Sequence, residues 1–317
     1  MDFLLNVLKN MPDAAALGLV WGIMAVGGYI TFKILDIPDM TVDGTFALGG
    51  CLIASTVSSG MNPLLSTLLA IVCGMAAGFV TGILHTKLKI PAILAGILTM
   101  LALYSVNLMI MGGKSNIGLT QFGENKVETI LDGISETFGM NSDMANIALG
   151  LIIAAVIIAL LYWFFGTELG SMIRATGINE DMVRAQGGNT ERMKIIGLVI
   201  ANGFVALSGA LVAQIQRYGD VGMGTGTIVI GLASIIIGEV LLGRKGSFKV
   251  RLFSVFLGSI LYRVIIAVVL LLGFNPNNLK LLTAVLVIAA LSIPVAREYT
   301  GERRRSRANL KKYEGVE

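Results

Sequence analysis

The sequence predicts an all-α polytopic membrane protein of about nine transmembrane helices, two of them short, broken and glycine-rich. Three observations predict it. The chain is 55% hydrophobic and only 14% charged, with a mean hydropathy of +0.81, whereas soluble domains carry ~25% charged residues. Apolar runs long enough to cross a hydrocarbon core, about 20 residues each, recur along the chain. The period-2 alternation of a β-barrel is missing.

The runs cover residues 14–35, 45–59, 63–84, 91–111, 146–165, 195–215, 227–242, 252–273 and 279–296. The second and seventh are the short ones, and the stretch DFLLNVLKNM before the first reads either as the outer end of the chain or as a short interfacial helix. Its apolar part is too short for a cleavable signal, and no small-residue cleavage site follows. Residues 1–300 therefore read as one membrane domain and residues 301–317 as a basic tail.

Cytoplasmic loops retain lysine and arginine. Lys87 and Lys89, the set Arg174, Arg184, Arg192 and Lys194, the set Arg244, Lys245, Lys249 and Arg251, and the tail RRRSR with Lys311 and Lys312 fall on one side if the spans alternate. That side, with the carboxy terminus, is the expected cytoplasmic one. The opposite loops, including the acidic segment from Glu124 to Asp143, hold few basic residues. The formal net charge of +4 is thus explained by topology and does not point to nucleic acid. Cys51 and Cys73 fall inside spans and read as small packing residues.

A faint internal repeat refines the architecture. DMTVDGTFALGG from Asp39 is similar to DVGMGTGTIVIG from Asp220, and HTKLKIPAILAGILTMLALYSV from His85 lines up loosely with GRKGSFKVRLFSVFLGSILYRV from Gly243. Glycine-interrupted short spans at matching places in two halves point to a central translocation path, because irregular backbone at membrane depth must line a cavity or be buried in protein. Close glycine-mediated packing of helices is the competing reading. Asp43, Thr45, Asn107, Asn202, Gln214, Thr225 and Thr227 are the polar candidates for the path, with helix-to-helix hydrogen bonding as the alternative for each.

Two further charges lie in or near spans, Arg263 and Glu239. A buried arginine needs a partner, and Asp43 is the expected counter-ion, with Glu239 the other choice. Catalysis has little to build on. His85 is the single histidine, expected to be solvated, so a histidine metal cluster is excluded and a Ser-His-Asp triad could draw only on this residue. There is no GxxxxGK[ST] phosphate loop, and GMGTGT from Gly222 lacks the strand and acidic partner of a dinucleotide site. No metal, no cofactor and no ATP site of its own is expected.

The polar stretch at residues 167–194, set between apolar runs, is large enough to expect a partner. It reads as a short helix NEDMVRAQ, capped by Asn179 and stopped by Gly187 and Gly188. With Arg174, Ala175, Gly177 and Asn179 leading into that helix, the segment resembles the coupling loop of permease subunits of bacterial ABC importers of the branched-chain amino acid and ribose type. The resemblance extends over residues 17–293, including SGAL from Ser208 and GMGTGTIVIGLASIIIGEVLLG from Gly222. DMTVDGTFALGG and IIIGEVLLG are most similar to a branch associated with amino acid uptake, including aromatic amino acids. The resemblance implies a homodimer in the bacterial plasma membrane, two cytoplasmic ATPase subunits, an extracytoplasmic substrate-binding protein and alternating access. It assigns the coupling role to Arg174, Gly177, Asn179, Glu180, Asp181, Arg184, Gly187 and Gly188. The chain lacks the extra amino-terminal span of some ribose-type relatives, which leaves the helix number and dimer axis open. An ion-coupled secondary transporter with inverted repeats is the alternative, although it would call for more embedded carboxylates than Asp43 and Glu239.

Overall fold

The computed structural model describes residues 2–119, 129–130, 142–242, 246–275, 278, 281–289 and 292, with side chains from Met11 onward in the first helix and from Asn146 onward in the fifth. The basic tail, Arg244 and Lys245, most of the acidic segment and much of the ninth apolar run lie outside them.

Helix α1 (Asp2–Tyr29) is continuous from the amino-terminal stretch into the first span and ends in a π-helical turn, Ile30–Ile34. The separate interfacial helix is therefore not seen. Pro38 then keeps the chain out of helix, and α2 (Thr41–Ser58) restarts as the Thr41 N–H donates to Asp39 Oδ1 at 2.9 Å. α3 (Pro63–Thr86) opens on Pro63 with Asn62 accepting from the Leu64 N–H, an arrangement that places proline where its missing donor costs nothing. α4 (Ala92–Ile110) follows Pro91. α5 (Ser142–Phe164) leads into two short helices, α6 (Glu168–Ile178) and α7 (Glu180–Ala185), before the long α8 (Thr190–Gln216). α9 (Thr227–Leu242) and α10 (Phe248–Leu271) come next, and residues 281–289 form a further helical segment, α11.

The all-α expectation needs one small correction. β1 (Asn116–Gly118) and β2 (Tyr218–Asp220) pair antiparallel, Asn116 opposite Asp220 and Gly118 opposite Tyr218. Each is too short to show a period, so no sequence pattern marks them.

Six helices, among the described residues, are long and apolar enough to cross a membrane: α1 with its π-turn, α3, α4, α5, α8 and α10. At 1.5 Å per residue, the 16 residues of α9 span only about 24 Å of a ~30 Å core, and the turn at residues 222–226 precedes it. α2 carries Asp43 and three glycines in 18 residues. Of the nine expected spans, six are thus seen among the described residues, and α2, α9 and α11 fall short of that measure.

α1 is the hub. Of its most apolar stretch 83% is buried, against 22% for α5, so the amino-terminal span is core and α5 is peripheral. Val20, Ile23, Ala25 and Ile30 meet Leu198 and Val205 of α8, Ile235 of α9 and Phe256 of α10 in the main apolar cluster. α2 lies against α8, α3 and α4. α3 and α8 approach backbone to backbone: methyls placed on Gly74, Gly78 and Gly82 would run into Asn202, Leu198 and Ile195 of α8. Outward faces of α3, α4 and α5 present Leu68, Val72, Leu101, Ile152 and Val156, as hydrocarbon-facing helices do. Cys51 is buried beside Met111 and Val221, and Cys73 packs on the cluster under α2; both are free.

Candidate coupling loop and transmembrane cavity

The loop at residues 167–194 folds as two capped helices. Thr167 Oγ1 accepts from the Gly170 N–H to start α6, and Asn179 Oδ1 accepts from the Met182 N–H at 2.9 Å to start α7, each satisfying a first-turn donor. α7 stops at Gly187, whose φ of +81° is open to glycine at little cost. Gly187 N donates to the Arg184 carbonyl and Gly188 N to the Val183 carbonyl at 2.9 Å. Gly177 is needed for a different reason: a methyl there would overlap the Ile34 carbonyl of the π-turn, so only glycine lets α6 seat on the end of α1.

Charges in the loop hold it together. The Glu180 carboxylate accepts from Arg184, from Thr190 Oγ1 at 2.9 Å and from Lys194 Nζ at 2.6 Å, tying α7 to the first turn of α8. Burial works against its charge, yet the hydrogen bonds from Lys194 and Thr190 and the positive charges of Lys194 and Arg184 hold its pKa below the ordinary value. Glu191 grips Lys87 at 2.7 Å and Lys89 at 2.8 Å, clasping the α3–α4 turn to the same loop. His85, expected to be solvated, is half-buried and its Nδ1 lies 2.9 Å from the Ile90 carbonyl, so it braces that turn. Arg174 lies 5.7 Å over the Phe248 ring. Asp181 is exposed. Apolar side chains stand among the exposed polar residues of the loop: Ile178 is 84% exposed and Met182 45%.

The path candidates divide into three places. Asp43, Asn107 and Thr225 line one cavity of about 220 Å³ between α2, α4 and the turn before α9, together with Tyr104. Thr45 and Asn202 belong to a buried network beside it. Asn202 accepts from Thr45 Oγ1 at 2.8 Å and donates to Asp39 Oδ2 at 2.8 Å and to the Leu198 carbonyl at 3.1 Å. Thr41 and Thr99 both reach Thr81 Oγ1, at 2.7 and 2.9 Å. Gln214 lies elsewhere, bonded to Thr67 Oγ1 at 3.0 Å and to the Ile130 N–H at 3.1 Å, a helix-to-helix role.

Asp43 is not the partner of Arg263. Its carboxylate accepts from the Gly226 N–H, from Thr227 Oγ1 and from the Ile228 N–H, all within 2.9 Å, and so caps α9 from another helix. Donors exposed at a helix start attract an anion, which outcompetes a distant guanidinium. Glu239 pairs with Lys33 at 3.2 Å. Arg263 instead lies 3.9 Å over the Trp21 ring, which answers the positive charge with the ring quadrupole. Sequence reasoning also missed Asp39, Thr81, Thr99 and Tyr104. Asp39 was legible as an acid held between Pro38 and an apolar helix, four residues before Asp43. The threonines and Tyr104 give no pattern within their apolar runs.

Residues 10–291 match the family described as branched-chain amino acid transport system / permease component. The chain belongs to this permease family. It is 43% identical over 274 residues, 86% of this chain and 88% of the relative, to the tyrosine transport system permease protein of Clostridioides difficile. It is 29% identical to the ribose import permease protein of Escherichia coli, over 88% of this chain and 79% of that one, and 26% identical to the fructose import permease protein of Bifidobacterium longum, over 85% and 74%. No solved structure matches it. The permease is thus the membrane component of an ABC-type importer.

Proposed function

We propose that this permease forms the path for a small amino acid with an aromatic side chain, handed over by an extracytoplasmic binding protein and driven by a separate cytoplasmic ATPase. One observation carries the coupling role. In a loop rich in charge, Arg184 and Lys194 both bond to Glu180, while Ile178 and Met182 stand in the open. Apolar side chains held outward on a charge-braced frame suit burial against a partner. Arg174, Gly177, Asn179, Glu180, Arg184, Gly187 and Gly188 then shape the loop, and Ile178, Asp181 and Met182 touch the ATPase. The membrane domain covers residues 1–300, with the loop and the tail of residues 301–317 in the cytoplasm. The two short helices derive from a duplication whose halves meet where Asp43 caps α9.

The tyrosine transporter among the relatives supports the solute class. The cavity at Asp43, Asn107 and Thr225 opens beside Leu101 and Tyr104, both more than half exposed, and a second copy across it completes the path. A pull-down from detergent with the cognate ATPase tests the docking. The wild type should retain the ATPase, and Met182→Asp with Asp181→Arg should lose it while keeping its fold. Purified permease that moves tyrosine in proteoliposomes on an ion gradient alone would instead establish a secondary transporter.

A further inference from the structure

A second cavity lies behind the coupling loop, where the π-turn, α6 and the start of α10 converge. Its volume is about 590 Å³, roughly twenty times the ~30 Å³ share of a water in the liquid. Three cations line it, Lys33, Arg174 and Arg251, with the hydroxyls of Tyr29 and Ser171 and the ring of Phe248. Among the described residues no carboxylate lines it. Glu239 lies 3.2 Å from Lys33, and Arg251 has partners of its own, Tyr29 among them. Arg174 has a single polar contact among the described residues, Ser171 Oγ at 3.4 Å. Three cations and, among the described residues, no carboxylate on the walls make the lining positive around a space too large for packing alone.

We propose that this cavity binds a phosphate group. Guanidinium forks match phosphate oxygens geometrically, and the Ser171 hydroxyl supplies a neutral donor beside them. Phe248 forms one wall at the first residue of α10, so an apolar tail can continue along that helix while the phosphate stays with the arginines. Basic pockets at the cytoplasmic ends of transmembrane helices hold phospholipid headgroups on this principle. A bound phosphate bridges Lys33 of the π-turn, Arg174 of α6 and Arg251 of α10, and so fastens the coupling loop to the transmembrane core.

Binding is read on the isolated chain without an ATPase, so its outcome and that of the docking test stand apart. Purified protein in a neutral, phosphate-free detergent is titrated in three arms, with phosphatidylglycerol, phosphatidylcholine or inorganic phosphate, following thermal unfolding and, by native mass spectrometry, the lipid retained. Phosphatidylglycerol should raise the unfolding temperature and leave one lipid per chain, with phosphatidylcholine inert. Arg174→Gln should weaken retention about tenfold, the loss of one charge-assisted contact, whereas Arg192→Gln, an exposed cation of the same loop, should leave it unchanged. A shift with inorganic phosphate alone assigns the site to dissolved phosphate. Ser171→Phe fills the cavity with its charges intact and should also abolish retention, which keeps the test alive if Arg174→Gln misfolds. No shift in any arm for the wild type, or equal losses in Arg174→Gln and Arg192→Gln, would overturn the proposal.

Discussion

Replacing Asn202 with alanine tests whether the buried network beside the cavity carries real stability. Asn202 is wholly buried and Asp39 is 1% exposed. The substitution removes the Nδ2 donor from Asp39 Oδ2 and the Oδ1 acceptor from Thr45. A hydrogen bond to a carboxylate contributes about 1.5–3 kcal/mol and one between neutral groups about 1 kcal/mol, so Asn202→Ala should destabilise by about 2.5–4 kcal/mol. Unfolding by SDS titration in mixed micelles, followed by circular dichroism, would measure it. The cause is isolated by a double-mutant cycle. If the loss comes mainly from stranding the carboxylate, then in the Asp39→Asn background the same change should cost about 0.5–2 kcal/mol less. An equal cost in both backgrounds would refute the reasoning and leave only a packing defect.

Asp43→Ala removes three hydrogen bonds from the start of α9 and should cost about 2 kcal/mol or more, with Asp43→Asn losing less; the same unfolding titration ranks them. Gly177→Ala puts a methyl into the Ile34 carbonyl and should destabilise by about 1–3 kcal/mol while uncoupling ATPase stimulation by the loaded binding protein, read in reconstituted complex. Glu180 has a folded pKa below its ordinary 4.5, so its contribution is complete above that value and is lost as pH falls from it toward the folded pKa. Protease resistance of the loop should therefore decline below about pH 4.5 in the wild type and change less in Glu180→Gln.

Much of the fold was legible because lipid imposes a single demand, a helix long and apolar enough to satisfy its own backbone. The loop was legible for local reasons: Asn179 and Gly187 mark a start and a stop within a few residues of each other. What the sequence hid depends on distance along the chain. Asp43 and α9 are separated by more than a hundred residues, and nothing local in Asp43 tells a helix cap from a counter-ion. Arg263 declared a need for a partner but not its kind, since the aromatic that answers it belongs to the first helix. Glu180 looked like a surface charge for a partner because its bonds run to Thr190 and Lys194, beyond the glycine stop.

The glycine contact between α3 and α8 has a mechanical consequence. With Gly74, Gly78 and Gly82 set against the backbone of α8, the two helices lack the side-chain cushion that would let one slide over the other. α8 begins at Thr190, which Glu180 grips from the loop. A force applied to the loop would therefore reach a stiff two-helix unit, and the give would come elsewhere, at the π-turn and at the turn of residues 222–226 before α9.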